Sequence, residues 1–233
     1  MALMTREPAA PPQPWTPRVK LIIAVAVIQL LIAGGWALLR GAQEFLVYAA
    51  FMPLVMLGVG RLHAHVRFSE GLLWCLSVLA LAHLAGGLVP VPPQWPTELR
   101  DRLYDLWLVP FLLKYDHLVH AFGNATATWL CWQFLQRTVA SKSGWGFRDL
   151  RPTPALLFFC VLAGMGIGSV NEILEFLTTH VVSDHGVGGY RNTLMDLVAN
   201  TIGSLIVAAM LWRHGRKVCD PDARVVCRRQ EAD

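Results

Sequence analysis

Apolar residues fill this chain in long unbroken runs. Six of these runs approach the ~20 residues that an α-helix needs to cross a hydrocarbon core. They cover 19–39, 45–60, 72–91, 117–135, 154–179 and 193–212, and the second is short and holds Pro53. The pattern predicts an all-α fold, a polytopic membrane bundle of six transmembrane helices over 19–212. A polar, proline-rich N-terminal segment, 1–18, precedes it and a basic tail, 213–233, follows it, both reading as disordered by composition.

Between the third and fourth runs, Leu99, Leu103, Leu106 and Trp107 recur at i, i+4, i+7 and i+8. Arg100, Asp101 and Asp105 lie on the other faces, and Pro110 ends the pattern. That spacing predicts a short interfacial helix between spans three and four, with Trp95, Tyr104 and Trp107 at the headgroup level. In the fifth run Gly164 and Gly168 give a Gly-x-x-x-Gly spacing, and Ala199 and Gly203 offer the same in the sixth; both would let a neighbouring helix approach closely.

Composition agrees with the pattern: 55% of residues are hydrophobic, 15% are charged and mean hydropathy is +0.45, too apolar for a single water-soluble core. The formal charge of +4 does not indicate nucleic acid, because Lys and Arg sit in the segments between runs. Assigned to alternate sides, fifteen of the twenty fall with the two termini and the loops at 61–70 and 137–152. By the positive-inside rule both termini are cytoplasmic, in a multi-pass protein of a bacterial-type inner (plasma) membrane whose partner is membrane lipid. The first run reads as an uncleaved span, since no small-residue cleavage site follows it. The five cysteines form no Cys-x-x-Cys or Cys/His cluster that would signal a disulfide or zinc–thiolate framework.

Against that apolar ground the ionisable residues stand out. Asp116 and His120 are four apart, His117 and His120 three apart, and Glu172 and Glu175 three apart, so each pair shares a helix face. Asp196 and Asn200 open the sixth run, and His83 lies near the end of the third. Glu172 lies ~27 Å along its helix from Pro154, which the topology puts in the outer leaflet. Each carboxylate near a bilayer centre costs about 2.5–3.5 kcal/mol unless compensated. Carboxylates and imidazoles converging from several helices are an arrangement that bundle metal sites use. The set suits a divalent ion without choosing which. On this reading His120, Glu172, Glu175 and Asp196 are metal ligands and Glu175 and Asp116 are the candidates for proton transfer. His83, His117, Asn171 and Asn200 complete the pocket. Plainer roles stand beside these: Asp116 and His117 as interface markers, Asp196 as a cap three residues after Thr193, and His83 as a core histidine.

His83-Leu-Ala-Gly-Gly87, Tyr115-Asp116-x-x-x-His120, Asn171-Glu172-Ile-Leu-Glu175-Phe176 and Asn192-Thr193-x-x-Asp196-Leu-x-x-Asn200-x-x-Gly203 together resemble the YjdF-like inner-membrane proteins. More distantly, Arg191, Asp196, Asn200 and Gly203 are similar to a pattern of VanZ-like proteins, with His117 where a Lys commonly stands and Glu175 where Gln is common. The resemblance implies a membrane fold and this residue set, and supplies no reaction. Three functions are compatible with the residues: a metal-dependent enzyme acting on a lipid or lipid-linked headgroup, a small transporter or proton-coupled carrier, and a non-catalytic scaffold. A homodimer is compatible with each.

Overall fold

A computed structural model describes residues 14–143, 150–182 and 188–217. Most of the expected disordered segment 1–18 and of the tail 213–233 lies outside the described residues. Six helices dominate: α1 (Pro17–Arg40), α2 (Gln43–Val66), α3 (Glu70–Leu88), α4 (Tyr115–Ser143), α5 (Pro154–Val181) and α6 (Tyr190–Lys217). Their starts follow local chemistry. Thr16 accepts from Val19 N ahead of Pro17, Ser69 from Leu72 N, and Thr153 from Leu156 N ahead of Pro154, so side chains satisfy backbone donors that no helical carbonyl reaches. Gly41, at φ 64, turns α1 into α2 in the left-handed conformation that glycine adopts without strain.

Among the described residues, five helices are long and apolar enough to cross a membrane: α1, α2, α3, α5 and α6. The other helix, α4, is the most polar of the long helices in its packing. It buries His117, Asn124, Thr126, Thr128 and Gln133, and it is the element on which α3, α5 and α6 converge. Two apolar clusters flank it. One joins Val19, Ile22, Val66, Phe68, Leu72 and Leu73 across α1, α2 and α3; the other joins Trp132, Leu157, Cys160, Val161 and Ala208 across α4, α5 and α6. Trp129 packs against both.

Helix α2 is longer than its apolar run, because Pro53 is accommodated inside it and the helix continues through Arg61, His63 and His65. His63 is therefore not in a loop; its Nε2 donates to Pro14 O at 2.8 Å. The glycines of α5 face their partners unequally. A Cβ on Gly164 would strike Thr128, one on Gly168 would lie 2.6 Å from Asn124 Oδ1 and 2.8 Å from Asn200 Nδ2, and one on Gly166 would meet nothing within 4 Å. Gly203 of α6 lies against the Ala121 carbonyl, so closely that a side chain would occupy the α4 backbone.

The interfacial helix expected around Leu99–Trp107 is not what forms. Residues 90–114 make a three-residue 3-10 turn (Leu103–Asp105) and an antiparallel hairpin of β1 (Trp107–Val109) and β2 (Leu113–Lys114), with isolated bridges from Pro90 to Arg102 and Thr97 to Leu106. Pro90, Pro92, Pro93 and Pro96 bias the chain entering this stretch toward extended backbone. One local and one long-range ion pair then fix the polar face inward. Arg102 Nε bonds Asp105 Oδ2 at 2.9 Å and its Nη1 reaches Glu44 of α2 at 3.4 Å. Asp105 is consequently buried, and burial pushes its carboxyl above the usual range against the pull of Arg102.

Candidate functional site

The loop, the hairpin and the ends of α2, α3, α4, α5 and α6 enclose a cleft of about 30 Å³, enough for one or two water-sized occupants. Asp116 and Glu175 reach it from α4 and α5, His83 from α3, and Tyr104 and Lys114 from the loop. His120 is the hub beneath. Its Nδ1 lies 3.3 Å from Glu172 Oε1, whereas its Nε2 lies 3.5 Å from Asp116 Oδ1, 3.9 Å from Glu175 Oε1 and 4.0 Å from Asp196 Oδ1. One imidazole thus has a single carboxylate on one nitrogen and three around the other.

These separations carry chemical information. Direct hydrogen bonds would be shorter, at about 2.7–3.2 Å. Ligands held ~2.0–2.2 Å from one ion stand ~3.4 Å apart along the edges of a tetrahedron; around Nε2, Asp116 at 3.5 Å is at that separation, and Glu175 and Asp196, at 3.9 and 4.0 Å, are wider. In each of the overlapping triads Asp116/His120/Asp196 and His120/Glu172/Glu175, one ligand atom per residue lies within 4.8 Å of the others.

Two of the four carboxylates are positioned by a neighbour on their own helix. Asn171 Nδ2 donates to Glu175 Oε1 at 2.7 Å, and Asn192 Nδ2 to Asp196 Oδ2 at 2.6 Å, both one helical turn away. Asp196 is 0% exposed, and its other oxygen, Oδ1, has no hydrogen-bond partner; neither does Glu172 Oε1. The capping role for Asp196 does not fit, because α6 begins at Tyr190 and Asp196 stands in its second turn. Asn200, one turn deeper, is buried with Nδ2 unpartnered.

His117 abuts the cluster, with Nε2 3.9 Å from Asp196 Oδ1. His83 stands at the cleft's edge, bonded to the Tyr104 hydroxyl and packed edge-on against Tyr48 at 5.6 Å between ring centroids. Burial holds the Tyr104 hydroxyl well above its ordinary titration range, so it remains protonated.

Several contributors give little or no sign in the sequence. Lys114 is buried, pairs with Glu98 Oε2 at 2.8 Å, bonds the Asn192 side chain and approaches Asp116 Oδ2 at 4.0 Å. It reads in the sequence as one more boundary cation, although it directly precedes Tyr115 and Asp116. Asn192 opens the motif that contains Asp196 and stands one turn before it, but the sequence alone assigns it no role. Tyr104, Arg102 and Glu44 arrive through long-range packing and left no local signal.

Residues 19–217 match the family described as "Predicted membrane protein (DUF2238)". This is the family of the YjdF-like proteins; no match bears on the VanZ resemblance. No curated protein and no solved structure matches the chain.

Proposed function

We propose, for a chain that belongs to the DUF2238 family of predicted membrane proteins, a metal-dependent enzyme of the plasma membrane whose substrate is a lipid or lipid-linked headgroup. In this reading α4 is a sixth span. Its 29 residues suffice in length, and its buried polar side chains turn inward, Asn124 and Thr128 to α6 and Gln133 to the start of α3, which lowers its hydropathy without exposing them to lipid. The distribution of Lys and Arg supports cytoplasmic termini, and hence a cleft opening on the outer side.

One observation carries the metal reading: Asp196 is fully buried with Oδ1 unpartnered and facing imidazole nitrogens at 3.9 and 4.0 Å. A buried carboxylate oxygen without a donor costs several kcal/mol, and a cation at that point removes the cost. His120 Nε2, Asp116 and Asp196, a triad whose ligand atoms lie within 4.8 Å of one another, are the ligands. Glu172, on the opposite ring nitrogen, orients the imidazole, as carboxylates behind metal-bound histidines do. A divalent ion so held polarises a phosphoryl or carbonyl oxygen or acidifies a bound water. Glu175, beside the triad and lining the cleft, is placed to take the proton.

Elemental analysis of detergent-purified protein tests this. Wild type should carry roughly one divalent ion per chain, by the donor count of a single centre, and Asp196→Asn should lose it while remaining monodisperse. Metal-free wild type after purification in metal-replete buffer would remove the enzyme reading and favour the scaffold.

A further inference from the structure

The motif His83-Leu-Ala-Gly-Gly87 closes α3 and gives no ligand to the proposed ion. What it holds is Tyr104. His83 Nδ1 bonds the Tyr104 hydroxyl, and the two rings meet edge-on at 5.5 Å between centroids. Gly86, one turn on, lies beneath the same tyrosine: a Cβ there would stand 2.5 Å from Tyr104 Cε1. At Gly87 a Cβ would fall inside the Phe45 ring of α2. One turn of α3 thus grips the polar end of Tyr104 and clears the space for its ring. The backbone of Tyr104 is fixed as well. Leu103 N donates to Val89 O at 3.0 Å, tying the 3-10 turn to the end of α3, and the flanking Arg102 and Asp105 bond each other at 2.9 Å.

The side chain so fixed stands among acceptors. Glu44, Asp105, Asp116 and Glu175 line the main cleft with Tyr104, and the two cations there are engaged, Arg102 by Glu44 and Asp105, Lys114 by Glu98 and Asn192. A substrate oxygen polarised by an ion in this cleft gathers negative charge and needs a donor beside the ion. A neutral donor suits that place better than a further cation, because it does not repel the ion. Burial, and after it the charges of Asp116 and Glu175, hold the Tyr104 hydroxyl well above its ordinary range, so it stays neutral and keeps its hydrogen. A hydroxyl can accept on its oxygen while its own hydrogen points elsewhere.

We infer that Tyr104 is a substrate-binding residue of the centre: His83 Nδ1–H donates to its oxygen, and its own hydrogen goes to the phosphoryl or carbonyl oxygen that the ion polarises. His83 and Gly86 are positioning residues, and seating Tyr104 is what the α3 motif does for the site. The inference rests on the proposed metal reading and adds the group that recognises the substrate's anionic oxygen.

Cobalt(II) makes such a centre visible, and inorganic phosphate is the probe for the anionic oxygen. In the detergent-purified full chain loaded with cobalt(II), added phosphate should shift the visible absorption and saturate. Tyr104→Phe should keep the cobalt content and the phosphate-free spectrum of wild type, and bind phosphate roughly tenfold more weakly, the scale of one hydrogen bond to a charged group. Gly86→Ala, which displaces the ring, should weaken phosphate likewise. His83→Asn, whose amide sets a donor near the place of Nδ1, should keep most of the affinity that His83→Leu loses. Unchanged phosphate affinity in Tyr104→Phe would overturn the inference. Loss of cobalt from that variant would overturn it too, since the tyrosine would then be supporting the ligands and not the substrate. If Tyr104→Phe does not fold, the His83 pair decides, and equal affinities in the two would overturn the inference. Wild type that takes up no cobalt would end the metal reading and this inference with it, whereas bound cobalt that ignores phosphate would end this inference alone.

Discussion

Two buried polar clusters lie one above the other between α4 and α6, and they are built on opposite principles. In the deeper seam, Asn124 Nδ2 donates to Asn200 O at 3.1 Å and Ser204 Oγ at 3.2 Å, and Thr128 Oγ1 bonds Ser204 Oγ at 3.0 Å. Every member is neutral, and these donors meet acceptors. In the upper cluster the members are ionisable, and buried oxygens of Glu172 and Asp196 go without donors. Asn200 belongs to both: its backbone carbonyl closes the seam, and its side chain, with Nδ2 unpartnered, adjoins the centre. The seam is complete without anything added, as a polar network that fixes helix packing must be. The centre is not, and the proposed metal reading rests on that difference.

The largest effect should come from removing the contact that supports both clusters. Gly203 lies against the Ala121 carbonyl, so Gly203→Leu must push α6 off α4, at a cost of at least about 3 kcal/mol. Size-exclusion profiles in detergent should show the monodisperse fraction collapse, while Gly166→Leu, with open space around it, keeps it. Equal profiles for the two would mean that α4 and α6 do not depend on that approach.

Next in size is a division within the centre. Asp196→Asn removes a ligand and should abolish divalent-ion binding, with about 1 kcal/mol of stability at stake in the Asn192 bond. Glu172→Gln removes only the orienting carboxylate and should weaken ion affinity ~10–100-fold. Isothermal titration with the metal found in the wild type measures both. If the two variants bind equally well, the assignment of roles around the two nitrogens of His120 fails.

Much of this arrangement is legible in the residues themselves. Asp116, His120, Glu172, Glu175 and Asp196 declare themselves because a carboxylate inside an apolar run needs a reason to be there, and helical spacing pairs them on faces. The seam does not declare itself, because Thr128 and Ser204 are small enough to sit in an apolar helix without breaking its pattern. The 90–114 loop misleads for another reason. Its leucines keep helical spacing, but the fold is decided by the prolines and by Arg102 bonding to Glu44, more than fifty residues away. Lys114 is obscured by position: a cation at a span's edge serves topology as readily as chemistry. A helix end, too, is fixed by hydrogen bonds that hydropathy does not record. Hence α6 begins at Tyr190, three residues before its apolar run, and Asp196 moves from a capping position into the buried interior.

The smallest effect belongs to the seam, and it sharpens the contrast most. Ser204→Ala takes the shared acceptor from Asn124 and Thr128 but leaves Asn124 its bond to Asn200 O. Hydrogen bonds between helices in membranes contribute about 0.6 kcal/mol on average, because the separated helices also find partners. The midpoint of thermal unfolding should therefore fall only slightly, and the divalent-ion content should not change. Glu172→Gln reverses both results: stability holds or rises as a buried charge disappears, while ion affinity drops. If Ser204→Ala also emptied the centre, the two clusters would act as one network through Asn200, and the seam would be part of the site's positioning machinery rather than the packing beneath it.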